Sequence, residues 1–168
     1  PPLDQHKWSR IHPRFNTHSG SIIDLGCDGW NWSSFFLDNP KGARKRAAYL
    51  PAGKHYKKEN EKYGPYFSPK RVIGADFQAE EFPPAELFKG AVGPTSGMGK
   101  IKGNGCGASL QGDPEGNIEI LSWSDFTEKF NISDIAILKI NIEGGEFELL
   151  KSLTLQDLRA IDQISVSF

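Results

Sequence analysis

The sequence predicts an α/β domain built on a mostly parallel sheet with flanking helices, and three observations lead there. Two short apolar runs, Ile22-Ile-Asp-Leu25 and Val72-Ile-Gly-Ala75, each carry or meet an acid at the end (Asp24, Asp76). A longer run, Ile135 to Ile142, is nearly continuous in apolar residues, as expected of a strand covered on both faces. Gly26 and Gly29 follow the first run, and Gly144-Gly145 follow the last, at the strand ends where open α/β sheets place ligands.

The first element is the strand over Ser21–Leu25, followed by a segment from Trp30 to about Leu37 that is expected to wind as a helix. Strand, glycine turn and helix together make a nucleotide pocket, because glycine lets a ligand approach the backbone and a helix start offers free N–H groups. The pattern here is Asp24-x-Gly26-x-x-Gly29, with an acid where a dinucleotide fingerprint has its first glycine. A carboxylate there repels a pyrophosphate and suits a ligand bearing an amine, a cation or hydroxyls. S-adenosylmethionine has that chemistry.

Ahead of this strand, residues 1–20 are polar, with His6, His12 and His18 among scattered aromatics. A lead-in segment packing near the first strand is favoured over a metal site, since no acid or cysteine stands at ligand spacing from the histidines. After it, residues 39–71 form a basic insertion between the first two strands. Residues 41–71 hold ten of the 20 Lys/Arg against only Glu59 and Glu61, a balance of +8 in a chain whose net charge is −1. Tyr49, Tyr56, Tyr63, Tyr66 and Phe67 interleave with the cations. The segment is either a solvated insertion, the favoured reading, or a lid for an anionic or sugar-like ligand. No motif for nucleic-acid recognition accompanies the charge.

Asp76 closes the second strand, where a carboxylate accepts hydrogen bonds from ribose hydroxyls; the alternative is a helix N-cap ahead of the acidic stretch 78–82. Glu86 to Val92 reads as a third short strand, and the glycine-rich stretch 93–116 as loop with a hairpin carrying Lys100-Ile-Lys102. Asn117–Leu121 is a strand and Ser122–Phe130 an amphipathic helix capped by Ser122 or Ser124. The strand over Ser133–Glu143 is the strongest. Asn141 faces the crevice at its end, and Glu143 is a substrate or cofactor ligand or a charge at the helix start. Glu146 and Glu148 suit the first turn of a helix running to Leu153 on dipole grounds alone, and Lys139 is expected at an edge or on the bottom face.

The length of 168 residues fits one domain over 1–168, and 38% hydrophobic with 24% charged residues is ordinary for a globular chain. Cys27 and Cys106 match no zinc or redox spacing and are read as free thiols. No run of about 18 apolar residues is present to span a membrane. The opening Pro1-Pro-Leu-Asp-Gln and the final strand-like Ile161–Phe168 read as the ends of a piece of a longer protein, C-terminally incomplete.

Several of these motifs in order resemble the FkbM family of class I, S-adenosylmethionine-dependent methyltransferases. They are Asp24-Leu-Gly-x-x-Gly-x-x-x-Ser33, Val72-Ile-Gly-Ala-Asp76, Gly90-Ala-Val-Gly93, Ser109-Leu110 and, most specifically, Ile137-Leu-Lys-Ile-Asn-Ile-Glu-Gly-Gly-Glu-Phe-Glu-Leu-Leu-Lys151. The resemblance implies a Rossmann-like fold and methyl transfer to a hydroxyl of a sugar or natural-product-like acceptor. It also implies Asp24, Gly26 and Gly29 on the methionine and ribose side of the S-adenosyl-L-methionine pocket, Asp76 on the ribose hydroxyls, and Asn141 and Glu143 facing the transfer site. No metal is assigned. The family usually has Asp where this chain has Asn141, and a neutral amide neither takes a proton nor neutralises a cation. A competing expectation is a non-catalytic, methyltransferase-like module that binds partners through the basic insertion. A nicotinamide-dependent oxidoreductase ranks last, because the acid comes first in the motif and the third glycine is missing.

Overall fold

The computed structural model describes residues 20–30, 32–37, 71–102 and 109–167. The histidines, the basic segment 39–70 and Cys106 lie outside these residues, so the readings attached to them are not addressed by the structure.

Among the described residues nine strands form two sheets. The larger takes β1 (Ser21–Leu25), β2 (Val72–Ala75), β3 (Glu86–Phe88), β8 (Ile135–Ile140) and β9 (Ile164–Val166) in the order β3-β2-β1-β8-β9. Every pairing in it is parallel. The smaller takes β4 (Ala91–Gly93), β5 (Gly97–Lys102), β6 (Ser109–Gly112) and β7 (Ile118–Ser122) in the order β4-β7-β5-β6. There β4 runs parallel to β7, while β5 is antiparallel to both β6 and β7. The helices are α1 (Trp123–Lys129), α2 (Glu146–Ser152) and α3 (Leu155–Arg159). No described helix is long and apolar enough to cross a membrane.

β1 and β8 are buried at every position, so apolar residues face both ways and two cores result. On one face Ile23, Leu25, Ile73, Leu138 and Ile140 pack with Phe88, Trp123, Phe126 and Leu149, which brings α1 and α2 onto the sheet. On the other, Ile22, Val72 and Ile137 meet Cys27, Trp30, Phe36 and Leu37. Successive strand residues alternate between faces, so Asp24, Gly74 and Lys139 belong to this second side.

Three expectations change. The segment after β1 is not a helix but two 3-10 turns, Asp28–Trp30 and Ser33–Phe36. Gly29 and Trp30 sit at φ 62° and 53°, left-handed values that an α-helix cannot incorporate. The third strand splits at Lys89-Gly90, giving β3 to the large sheet and β4 to the small one. Gly90 allows the crossing, since a Cβ there would run into the Glu119 carbonyl and the Phe88 ring. Lys139 lies neither at an edge nor on an open face; it is 7% exposed on β8, between β1 and β9. Ser122 caps α1 through its hydroxyl, which accepts from the Asp125 amide, and the helix starts at Trp123.

Candidate functional site

From β1 the chain proceeds to β2 and β3 on one side, while β8 and β9 fill the other. The order therefore reverses between β1 and β8, and open α/β sheets place ligands beyond the carboxyl ends of the strands at such a point. The loops leaving these two strands abut. The Asn141 amide donates to the Leu25 carbonyl at 3.0 Å. Gly26, at φ +76°, lies so close that a Cβ would overlap the Asn141 carbonyl oxygen, so only glycine fits. Gly26 and Asn141 thus meet at the switch point.

Past Gly26 the chain turns back over β2. Trp30 is 2% exposed, donates its indole N–H to the Glu80 carbonyl at 2.7 Å and stacks on Phe82. Its ring lies against Gly74, where a Cβ would meet the Trp30 ring and the Cys27 sulfur at 2.6 Å. These contacts hold the left-handed Trp30 backbone, a conformation that costs of order 1–3 kcal/mol for a non-glycine residue.

Asp24 is fully buried, and Lys139 sits directly across from it in register. The Lys139 ammonium donates to Asp24 Oδ1 and to the Gly26 carbonyl, both at 2.7 Å. Burial raises the Asp24 carboxyl above its ordinary value, more than Lys139 lowers it. The Ser33 hydroxyl lies near enough to favour the ionised carboxylate without closing a hydrogen bond of normal geometry. Asp24 Oδ2 and the hydroxyls of Ser33 and Ser34 are buried with no hydrogen-bond partner among the described residues.

At the end of β2, Asp76 uses both carboxylate oxygens on backbone amides. Oδ1 accepts from Gln78 and Ala79 at 2.7 and 3.1 Å, and Oδ2 from Asp28 at 3.1 Å. No helix follows it, so the N-cap alternative gives way to a turn that the side chain closes itself. Two amides on Oδ1 and one on Oδ2 leave acceptor capacity on Oδ2.

Beyond β8, Asn141 is half-buried, whereas Glu143 is exposed and left-handed at φ 55°, followed by Gly144 at φ 100°. Glu146 shapes this loop. Its carboxylate, 4% exposed, accepts the amides of Ile142 and Gly144 at 2.9 Å each. Glu146 is therefore more than an acid placed for the helix dipole; it is the acceptor that closes the loop bearing Asn141 and Glu143. The sequence reading missed this role and the Lys139–Asp24 pair. One signal for the pair was available: a lysine inside an apolar strand needs a counter-charge, and Asp24 was the acid on a strand of similar burial.

Reversed strand order, a glycine turn and acids at the strand ends define an α/β protein with a topological switch point between β1 and β8. The methyltransferase FkbM domain matches over residues 51–168, and the chain belongs to that family. The match takes in Asp76, Asn141 and Glu143 and begins after the Asp24–Gly29 turn. No curated protein and no solved structure matches the chain.

Proposed function

We propose that this methyltransferase-family chain uses S-adenosyl-L-methionine to methylate a hydroxyl on a sugar or small natural-product-like acceptor. The observation that carries the reading is how closely the turns after three strands meet beside the switch point: Gly26 lies against the Asn141 carbonyl, and the Asp28 amide bonds Asp76. The donor set suits the cofactor. The unpartnered Asp24 Oδ2 with the Ser33 and Ser34 hydroxyls matches the polar methionine end, Gly26 and Gly29 supply close backbone approach, and the remaining capacity of Asp76 Oδ2 matches a ribose hydroxyl.

When bound, S-adenosylmethionine supplies a methyl group on a sulfonium, whose departure as a neutral thioether makes the methyl reactive. The residues of this chain then align the acceptor oxygen and take its proton. Glu143 is the carboxylate assigned to accept that proton. Asn141, a neutral amide, orients the hydroxyl and carries no proton itself. The exposed, left-handed Glu143 next to the abutting Gly26 and Asn141 loops supports this division.

Calorimetric titration of S-adenosylmethionine into the chain tests the reading, with NAD as the control ligand. Saturable binding of S-adenosylmethionine alone, weakened by Asp76→Ala, is the expected result. Absence of binding by the folded protein would overturn it and leave the non-catalytic module that binds partners through the basic insertion.

A further inference from the structure

Lys139 is a buried cation that the proposed reaction does not use. A counter-charge for Asp24 requires one bond, yet the ammonium makes two, and the second goes to the backbone carbonyl of Gly26. Gly26 is the left-handed residue at which β1 ends and the cofactor turn begins. The orientation of its peptide sets the path of Cys27 and Asp28, and the Asp28 amide in turn reaches Asp76 Oδ2. One lysine on β8 therefore ties the strand-end acid, the glycine turn and, through that turn, the acid at the end of β2. An ion pair this deep is rarely the most stabilising choice, because apolar side chains of similar volume pack there at no desolvation cost.

We infer that Lys139 is a positioning residue for the cofactor turn: its bond to the Gly26 carbonyl holds the 26–28 backbone in the geometry that binds S-adenosylmethionine. The inference rests on the function proposed above. It has a second consequence, which is that the charge of Asp24 is compensated inside the protein. The ligand then meets Asp24 as a hydrogen-bond acceptor beside a cation and not as an isolated negative charge.

Lys139→Met alone leaves Asp24 buried without its partner and is expected to melt early, so the deciding variant is Asp24→Asn/Lys139→Met. It carries no unpaired charge and recovers much of the melting temperature, but it cannot restore the donor to Gly26. Two measurements are made on it. In the ligand-free protein, hydrogen exchange at the Gly26 and Asp28 amides is expected to accelerate at least tenfold, while the Leu138 amide, which bonds the Gln163 carbonyl, stays protected. S-adenosylmethionine affinity is expected to fall at least tenfold relative to Asp24→Asn alone. Unchanged exchange at Gly26 and Asp28 would overturn the inference, as would an affinity equal to that of Asp24→Asn. If the wild-type chain binds no S-adenosylmethionine, the proposed function fails, and the exchange measurement still decides whether Lys139 holds the turn.

Discussion

Asp76 accepts the backbone amide proton of Asp28, a residue 48 positions earlier, and so ties the turn after β1 to the turn after β2. The acid assigned to the ribose is at the same time a clamp on the glycine turn. If Asp76 also holds the ribose as proposed, ligand recognition and loop order are coupled through a single carboxylate.

Replacing that carboxylate separates the two roles. Asp76→Asn keeps an acceptor oxygen but loses the charge and at least one amide partner, and hydrogen bonds to charged groups are worth about 1.5–3 kcal/mol. The variant is expected to fold and to bind S-adenosylmethionine at least about tenfold more weakly, equivalent to about 1.4 kcal/mol. Calorimetric titration beside a thermal melt checks both halves.

Glu146→Ala is expected to destabilise the fold by about 1–3 kcal/mol, because the amides of Ile142 and Gly144 lose their acceptor where little water replaces it. A lower urea midpoint with an unchanged slope is the sign of that loss. Freed from its closure, the loop also relaxes Glu143 from φ 55°. Turnover should then fall while S-adenosylmethionine affinity changes little.

Cys27 should be chemically silent in the folded protein. It is 2% exposed, and burial raises its thiol well above the usual range, with the charges of Asp24 and Asp76 adding to the effect. Thiol-reactive reagents need an accessible thiolate. Peptide mapping after alkylation at about pH 8 is expected to leave Cys27 unmodified in buffer and modified in urea.

Asp24 gives a pH signature of definite sign. Its carboxyl is raised above 3.8 in the fold. Between that value and the raised one, the folded chain binds more protons than the unfolded chain, so the contribution of this group to stability declines as pH rises. Asp24→Asn removes that slope. The difference in unfolding free energy between the two proteins is expected to shift toward the variant as pH climbs from about 4, then level off once the raised value is passed. Urea titrations across that range measure it.

The parts of this molecule written in contiguous residues were legible in the sequence. β8 announces itself through Ile135, Ile137, Leu138 and Ile140, and the start of α1 through Ser122 three residues before Asp125. Gly26, Asp76 and Asn141 were placed at strand ends by local pattern, and in the fold Gly26 lies against Asn141 while the turn after Gly26 reaches Asp76. What local pattern could not supply were pairings between distant residues. Lys139 looked peripheral because nothing nearby in sequence explains a lysine in a strand; its partner is on β1. Helix was expected after Gly29 because Trp30 to Leu37 is apolar enough, but the left-handed Trp30 is fixed by Gly74 and Glu80, contacts from another strand and loop. The break between β3 and β4 is likewise decided by the carbonyl of Glu119 on β7, which leaves Gly90 no room for a side chain.

The placing of β1 at the centre of the large sheet also bears on how the chain reaches its folded state. Asp24 and Lys139, neighbours across that sheet, are 115 residues apart. On a ribosome, β1 emerges well before β8, the strand that completes it on one side. Loop closure over that distance must precede the reward of pairing, so this contact forms late relative to local ones. Until β8 arrives, that edge of β1 is a sticky end.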